Sequence, residues 1–265
     1  MINKYQIKEY IKHRAAANKG GHGVHSPFVF DFINNVLEVS GKYYGFEAIE
    51  EIRKEYLYND AIIKINDLGA GSKRFTTKER KISDVAKYSL KSTKQAELLL
   101  RIANYYKCKN IIEIGTSLGT TTMYLSLVDS KAKITTIEGD DNIYKLADKS
   151  FKKLKLENIN NICGNFNDVL PSVISNTDRV DMAFIDGNHT KEATINYYNI
   201  IKEKTHEDSV IIFDDIYWSK GMTEAWNAII EDKDVIQSID LFHLGIVFFK
   251  PNMPKQNFKL FSTNI

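Results

Sequence analysis

Three carboxylates in the second half of the chain have the spacing expected of a cation site. Asp186 follows the apolar run in "FIDGNH", and Asp214 and Asp215 follow the run in "IIFDDIYW". If the two runs are neighbouring strands, the carboxylates meet at one sheet edge, where they repel and raise one another's pKa. A hard divalent cation such as Mg²⁺ offsets this repulsion and prefers oxygen ligands. The sequence therefore predicts Asp186, Asp214 and Asp215 as metal ligands. The alternative is that Asp214 or Asp215 caps the following helix.

Two glycine-containing segments could each bind a nucleoside, "INDLGAGSKRF" at residues 65–75 and "IIEIGTSLGTTT" at residues 111–122. Such a loop joins a strand to a helix whose free N–H groups face the ligand. An acidic residue at the end of the next strand, about twenty residues on, binds ribose hydroxyls. The second segment offers an apolar strand, the turn glycines Gly115 and Gly119, an apolar helix and then Glu138. A basic polar stretch follows the first segment, so the second is predicted to bind the cofactor.

The glycine spacing of the second segment narrows the class of ligand. A NAD-binding loop has the spacing G-x-G-x-x-G, and its middle glycine lets the backbone approach a pyrophosphate. Here the spacing is E-x-G-x-x-x-G, with Ser117 in place of that glycine. The loop therefore favours a ligand without a pyrophosphate, and a nicotinamide dehydrogenase is the least favoured enzyme.

The elements that must position these residues begin after residue 82, where short apolar runs alternate with amphipathic helical stretches. Strands that are apolar throughout are typical of a parallel sheet with helices on both faces. His243 and Leu244 alone connect the last two runs, which is too short for a parallel crossover, so these runs should pair antiparallel. We predict an α/β fold with a Rossmann-like doubly wound, mostly parallel sheet.

The residues before this series differ in character. Residues 1–85 are predicted as an N-terminal helical extension and residues 86–265 as the cofactor-binding domain. The extension contains three helical stretches, the second of which should have Ser26 as its cap and Pro27 as its first residue. The polar stretch from "DLGAG" to about Lys81 lacks hydrophobic periodicity and is predicted as a loop.

Composition excludes several classes of protein. The chain has 265 residues, 43% of them hydrophobic, and a formal net charge of +2. A net charge this small does not indicate binding to nucleic acid or to anionic membranes. The N-terminus lacks the apolar core of a signal peptide, and no window approaches the length of a membrane span. Cys108 and Cys163 form no metal-binding or disulfide pattern. We expect a cytoplasmic protein without a membrane partner.

Five motifs in order resemble those of the class I S-adenosylmethionine-dependent methyltransferases, more narrowly the catechol and caffeoyl-CoA O-methyltransferase-like branch. They are "EIGTSLGTTT", "TIEGD", "GNFNDVLP", "FIDGNH" and "IIFDDIYW". The resemblance covers residues 88–250 and implies a seven-stranded sheet with an antiparallel last strand. It implies S-adenosylmethionine as the cofactor and is less specific about the substrate.

The resemblance also implies roles for individual residues. The methionine end of the cofactor would be lined by Glu113, Gly115, Thr116, Ser117 and Gly119, with Thr121 at its carboxylate. Glu138 would accept both ribose hydroxyls, and Phe166 and Asn167 would border the adenine. Asp186 would lie near the sulfonium and the incoming nucleophile. Plain alternatives stay open: Phe166 could be a core residue and Asn167 a surface turn residue.

The metal-dependent members of that branch hold Asp, Asp and Asn at the positions of Asp186, Asp214 and Asp215. Asp215 therefore keeps an oxygen ligand and adds a charge. The metal would hold and acidify a substrate hydroxyl.

The branch often has a lysine just after the first Asp, so either His189 or Lys191 could be the base. His189 has the more suitable unperturbed pKa, with a solvated or capping role as its alternative. Trp218 could wall the substrate pocket or pack in the core.

Helices that precede the shared domain commonly cover the active site or form a dimer contact in this branch, so a homodimer is one expectation. The segment "DLGAGSKRFTTKERKIS", residues 67–83, is then predicted as a mobile flap, with Lys73 or Arg74 meeting an anionic group; a solvated basic loop is the alternative. The predicted function is O-methylation of a hydroxylated small molecule with Mg²⁺ assistance. A methyltransferase for a modified tRNA base and a non-catalytic S-adenosylmethionine sensor stay as alternatives.

Overall fold

The computed structural model describes residues 3–39, 41, 44–65 and 78–263. Residues 67–77 of the predicted flap, with Asp67, Lys73 and Arg74, lie outside these ranges. The chain divides into two compact units. The terminal unit comprises Met1–Val39 and Ile174–Asn264, and the central unit comprises Ser40–Val173. These units are defined by contacts in space and divide the chain at residues 39 and 174. The boundary near residue 85, drawn from the sequence pattern, stays a prediction.

The described residues form ten α-helices, one π-helix and eleven strands. The helices are α1 (Lys4–Ala16), α2 (Pro27–Phe32), the π-helix Ile33–Leu37, α3 (Phe46–Leu57), α4 (Ile82–Ser89), α5 (Thr93–Tyr105), α6 (Thr120–Ser126), α7 (Asp141–Lys153), α8 (Phe166–Ser175), α9 (Lys191–Lys202) and α10 (Lys220–Glu231). The strands are β1 (Asn18–Lys19), β2 (Ile62–Lys64), β3 (Glu79–Lys81), β4 (Asn110–Ile114), β5 (Lys133–Glu138), β6 (Ile159–Cys163), β7 (Met182–Ile185), β8 (Val210–Asp214), β9 (Gln237–Asp240), β10 (Leu244–Phe248) and β11 (Gln256–Phe261).

In the central unit, β5 lies between β4 and β6 and pairs with both in parallel. The helices around these strands have clear start signals. Ser92 and Gln95 form a capping box at α5, and the side chain of Asp140 accepts two backbone N–H groups at α7. The apolar faces of α3, α4, α5 and α7 pack into one core with α6. Parallel pairing places the ends of β4 and β5 at the same edge.

Helix α3 is part of this core, although its sequence precedes the glycine loop by more than fifty residues. Ile49 and Ile52 are buried, and the Tyr56 hydroxyl donates to the Leu146 carbonyl at 2.8 Å. The Tyr124 hydroxyl on α6 donates to Glu50 at 2.9 Å. These contacts join α3 to α6 and α7 within the central unit.

In the terminal unit, β8 pairs in parallel with β7 and antiparallel with β10. Strand β10 also pairs antiparallel with β9, so the pairing predicted from the short His243-Leu244 connection is confirmed. The strand series β4 to β10 confirms the predicted mostly parallel α/β fold. Strands β1 and β11 were not predicted; β11 pairs in parallel with both β9 and β1.

Two local predictions have definite outcomes. Ser26 caps α2 and Pro27 is its first residue, as predicted, and the π-helix continues from it. The predicted loop up to Lys81 is wrong at its end, because Glu79–Lys81 is a strand that pairs antiparallel with Ile62–Lys64. The signal is weak because the strand is only three residues long and every residue in it is charged. Within the described ranges, no helix is long and apolar enough to cross a membrane.

The buried face of α3 gives a stability prediction. Ile52 is 2% exposed, so Ile52→Ala should lower the free energy of unfolding by about 2–5 kcal/mol, because it leaves a cavity in the core. The matched control is Leu57→Ala on the same helix, where the side chain is 39% exposed and the loss should be below about 1 kcal/mol. Denaturant unfolding measures both. Equal losses would mean that α3 is not part of the core.

Candidate functional site

The glycine turn between β4 and α6 requires left-handed backbone at three positions. Gly115, Ser117 and Gly119 have φ values of 96°, 49° and 80°. Gly119 precedes α6, and a Cβ atom there would lie 2.6 Å from ring atoms of Phe151. Glycine at position 119 is therefore required both by the backbone conformation and by the close approach of a neighbouring ring.

The carboxylate of Glu138, at the end of β5, lies against this turn. The backbone N–H of Ser117 donates to Oε2 at 2.8 Å, and that of Asp140 donates to Oε1 at 3.0 Å. The residue is 9% exposed, and burial raises the pKa of the carboxyl to about 7, against the two backbone donors, which lower it. A carboxylate has about four acceptor positions, so Glu138 can accept further hydroxyl donors.

A buried hydrogen-bond network supports the turn. The hydroxyls of Thr122 and Thr136 both donate to Oε2 of Glu113, which is fully buried. Thr116 contacts Thr136 with 2.6 Å between their hydroxyl oxygens. The structure thus places Glu113 in a buried network that reaches the turn through Thr116, and their contacts with a cofactor stay predictions.

Sequence reasoning did not single out Thr122 and Thr136 of this network, or Ser89 beside the turn. Thr136 lies two positions before Glu138 on β5, so strand alternation could have placed both side chains on one face. Ser89, at the end of α4, contacts Ser117 with 2.8 Å between their hydroxyl oxygens. No signal in the sequence joins these two serines.

The remaining predicted cofactor residues lie near the start of helices in the central unit. Thr121 is buried on α6. Phe166 is half-buried and begins α8, while Asn167 is exposed and its backbone N–H donates to the side chain of Asn165. Their contacts with a cofactor stay predictions.

In the terminal unit, Asp186 and Asp214 follow or end the paired strands β7 and β8, as predicted. They form a group with His189 in which one ligand atom from each side chain lies within 4.8 Å of the others. Nε2 of His189 is 3.4 Å from Oδ1 of Asp186. Asp214 is buried, and Asp186 and His189 are partly exposed. The arrangement can hold a cation or form an ion pair when His189 is protonated.

Asp215 is not a member of this group, although the sequence pattern places it among the metal ligands. Its backbone is left-handed, with φ of 50°, and its N–H donates to the His243 carbonyl at 2.7 Å. Helix α10 is capped by Ser219, so neither Asp214 nor Asp215 has the alternative role of capping that helix.

The turn after β7 determines where the two candidate bases lie. Asn188 and His189 are both left-handed, with φ of 64° and 28°, and the His189 ring centroid is 6.2 Å from that of Trp218. Lys191 lies on α9, with Nζ 2.8 Å from Glu224, and this hydrogen bond raises the pKa of the lysine. An ammonium group with a raised pKa stays protonated at neutral pH and is a poor base.

Residues 112–216 match the sequence family described as a methyltransferase domain. This match contains both the glycine turn and the acidic positions. This segment has the sequence of a methyltransferase domain. The sequence resemblance to class I methyltransferases is therefore confirmed.

Solved structures share the fold of this methyltransferase. An O-methyltransferase of Bacillus cereus in complex with SAH is 17% identical, with a TM-score of 0.57 over 83% of this chain and 97% of that one. TomG of Streptomyces achromogenes, an O-methyltransferase in complex with SAM, is 16% identical, with a TM-score of 0.58 over 84% and 96%. A Staphylococcus aureus protein assigned as a caffeoyl-CoA O-methyltransferase is 18% identical, with a TM-score of 0.56 over 63% and 88%. At these identities the matches show the fold, and they lie in the predicted branch.

The raised pKa of Glu138 makes the stability of the methyltransferase depend on pH. Because the folded pKa of about 7 exceeds the unfolded value of 4.5, the folded state binds the extra proton in this window. The contribution of Glu138 to the free energy of unfolding is therefore fully present below about pH 4.5 and is lost as pH rises through about 7. Wild type should lose up to about 3 kcal/mol of unfolding free energy across this window that Glu138→Gln does not lose. Urea unfolding at several pH values measures both, and parallel profiles would contradict the assignment.

Proposed function

We propose that this methyltransferase transfers the methyl group of S-adenosylmethionine to a hydroxyl oxygen of a small molecule, with help from a divalent cation. The observation that carries the proposal is the buried Glu138 carboxylate, fixed against the glycine turn by the N–H groups of Ser117 and Asp140.

The glycine turn suits a nucleoside with a sulfonium side chain. Glu138 would accept the two ribose hydroxyls, because its carboxylate is anchored by backbone donors and needs no reorganisation to receive them. Ser117 stands where a dinucleotide loop has glycine, which disfavours a pyrophosphate. Thr121 at the methionine carboxylate, and Phe166 with Asn167 at the adenine, complete the proposed cofactor contacts.

The acidic group of the terminal unit suits a divalent cation. Asp186, His189 and Asp214 offer carboxylate oxygens and an imidazole nitrogen, all common metal ligands, and their ligand atoms are close enough to be shared by one ion. When bound, the cation would supply Lewis acidity, which lowers the pKa of a coordinated hydroxyl. The resemblance to metal-dependent O-methyltransferases names Mg²⁺ for this role.

The proposed reaction is a direct displacement. A lone pair of the acceptor oxygen forms the new C–O bond, the bond between carbon and sulfur breaks, and its electron pair stays on sulfur. The acceptor loses its hydroxyl proton, so the products are a methyl ether, S-adenosylhomocysteine and a proton. The protein contributes mainly by positioning the two reactants and by favouring loss of that proton.

Calorimetry with S-adenosylmethionine tests the cofactor assignment. Glu138→Ala removes an anchored acceptor of two hydroxyl donors, so the affinity should fall by about 100-fold or more. The matched control is Glu157→Ala, an exposed glutamate of the same unit, which should bind within about twofold of wild type. Unchanged affinity of Glu138→Ala would remove the cofactor assignment.

A labelled-methyl screen tests the reaction. Catechols, other hydroxylated metabolites and bulk tRNA are offered with Mg²⁺ or Mn²⁺ and, separately, with excess chelator. We expect label in a hydroxylated small molecule and at least a tenfold loss of rate in chelator, because the acceptor loses its Lewis acid. Full activity in chelator would contradict the metal role. Label in tRNA alone would support the base methyltransferase, and cofactor binding without turnover would support the sensor.

A further inference from the structure

We propose that His189 is the third ligand of the divalent cation, beside Asp186 and Asp214, and that it is not the base. The site should then bind cations that accept nitrogen donors more tightly than it binds Mg²⁺. This inference rests on the metal-assisted reaction proposed above. It replaces Asp215, the third ligand predicted from the sequence, by His189, and it names the class of metal that the site prefers.

The distances among the three side chains fit one ion. Ligands at Mg²⁺-like distances of about 2.1 Å lie about 3.0 Å apart on adjacent positions and about 4.2 Å apart on opposite positions. Nε2 of His189 is 3.4 Å from Oδ1 of Asp186, and no ligand atom of the group is more than 4.8 Å from another. Small side-chain movements therefore suffice to place all three on one cation.

The backbone of the turn holds the imidazole at this place. Asn188 and His189 are consecutive left-handed residues, and the His189 N–H donates to the Gly187 carbonyl at 2.9 Å. Thr190 then caps α9, which fixes the exit of the turn. Left-handed backbone is disfavoured for residues other than glycine and persists where the surroundings require it. The turn is thus fixed at both ends while it directs His189 toward Asp186.

The ligand and base roles of Nε2 exclude each other. This nitrogen has one lone pair, and a pair that is donated to a metal cannot also accept the proton of a hydroxyl group. Lys191 does not take over the role, because its ammonium is bound to Glu224. The hydroxyl proton of a metal-held acceptor then passes to solvent or to a carboxylate.

The donor set decides which cations bind well. Mg²⁺ takes oxygen ligands and keeps several waters, whereas imidazole suits Co²⁺, Ni²⁺, Zn²⁺ and Fe²⁺. Two carboxylates and one imidazole should therefore favour Co²⁺ over Mg²⁺ by about tenfold or more. A site of three oxygens, as the sequence pattern suggests, would show a weaker preference.

The test is a titration of the chelator-stripped full chain with Co²⁺ or Mg²⁺ alone, without cofactor or acceptor. The variants are His189→Gln, whose amide oxygen reaches about as far as Nε2, and Asp215→Asn, which suits a left-handed residue. The control is His206→Gln, since His206 also pairs with an aspartate, Asp181, at 2.9 Å but lies outside the group.

We expect His189→Gln to lose at least about tenfold in Co²⁺ affinity and to change Mg²⁺ affinity by less than about threefold. The visible spectrum of bound Co²⁺ should also change, because a nitrogen donor is replaced. His206→Gln and Asp215→Asn should keep Co²⁺ affinity within about threefold. If His189→Gln does not fold, as judged by circular dichroism, the ligand role is tested by the Co²⁺ affinity of His189→Asn and by the preference of wild type for Co²⁺ over Mg²⁺.

Equal Co²⁺ affinity in wild type and His189→Gln would overturn the ligand role, as would a loss confined to Asp215→Asn. S-adenosylmethionine calorimetry on the same preparations separates the two proposals. Normal cofactor binding with unchanged Co²⁺ affinity in His189→Gln rejects this inference alone. If wild type binds neither cation, the ligand role and the metal part of the proposed function both fail, and absent cofactor binding rejects the methyl-transfer proposal itself.

Discussion

The buried carboxylate of Glu138 is the constraint on which the central unit's candidate site depends. Burial is the main cause that disfavours its charged form, and backbone hydrogen bonds partly offset that penalty. One of these donors belongs to Ser117, whose backbone is left-handed, so the carboxylate and the turn stabilise each other. In this turn the acceptor is the Glu138 carboxylate at the end of β5, and the parallel pairing of β4 with β5 brings it within reach of the Ser117 N–H.

The same turn depends on residues far earlier in the chain. The guanidinium of Arg53 on α3 donates to the Lys91 carbonyl at 2.7 Å, between α4 and α5. Ser89, two residues before that carbonyl, contacts Ser117. Of the helices predicted as an extension, α3 therefore contributes to the core of the central unit and to the α4–α5 junction beside the turn. Changes in α3 should act on cofactor binding as well as on stability, through the α4–α5 junction.

The sequence predicts those parts of the fold whose signals are local. A capping serine followed by proline identifies the start of α2, and mostly apolar runs identify β4, β7, β8 and β10. Strand β1 has only two residues, and β11 alternates in burial without a long apolar run. Their signals are weak because neither strand contains an apolar run, and tertiary context decides such segments.

The candidate metal group shows where local pattern stops being sufficient. The sequence places Asp214 and Asp215 side by side as equivalent ligands, but adjacent residues at a strand end point in different directions. Asp214 ends β8 with extended backbone, whereas the left-handed backbone of Asp215 turns the chain. His189 enters the group through two consecutive left-handed residues, a conformation that no residue type in "GNHTK" requires. The membership of the group is therefore a property of two turns, because the backbone conformation at positions 189 and 215 decides which side chains reach it.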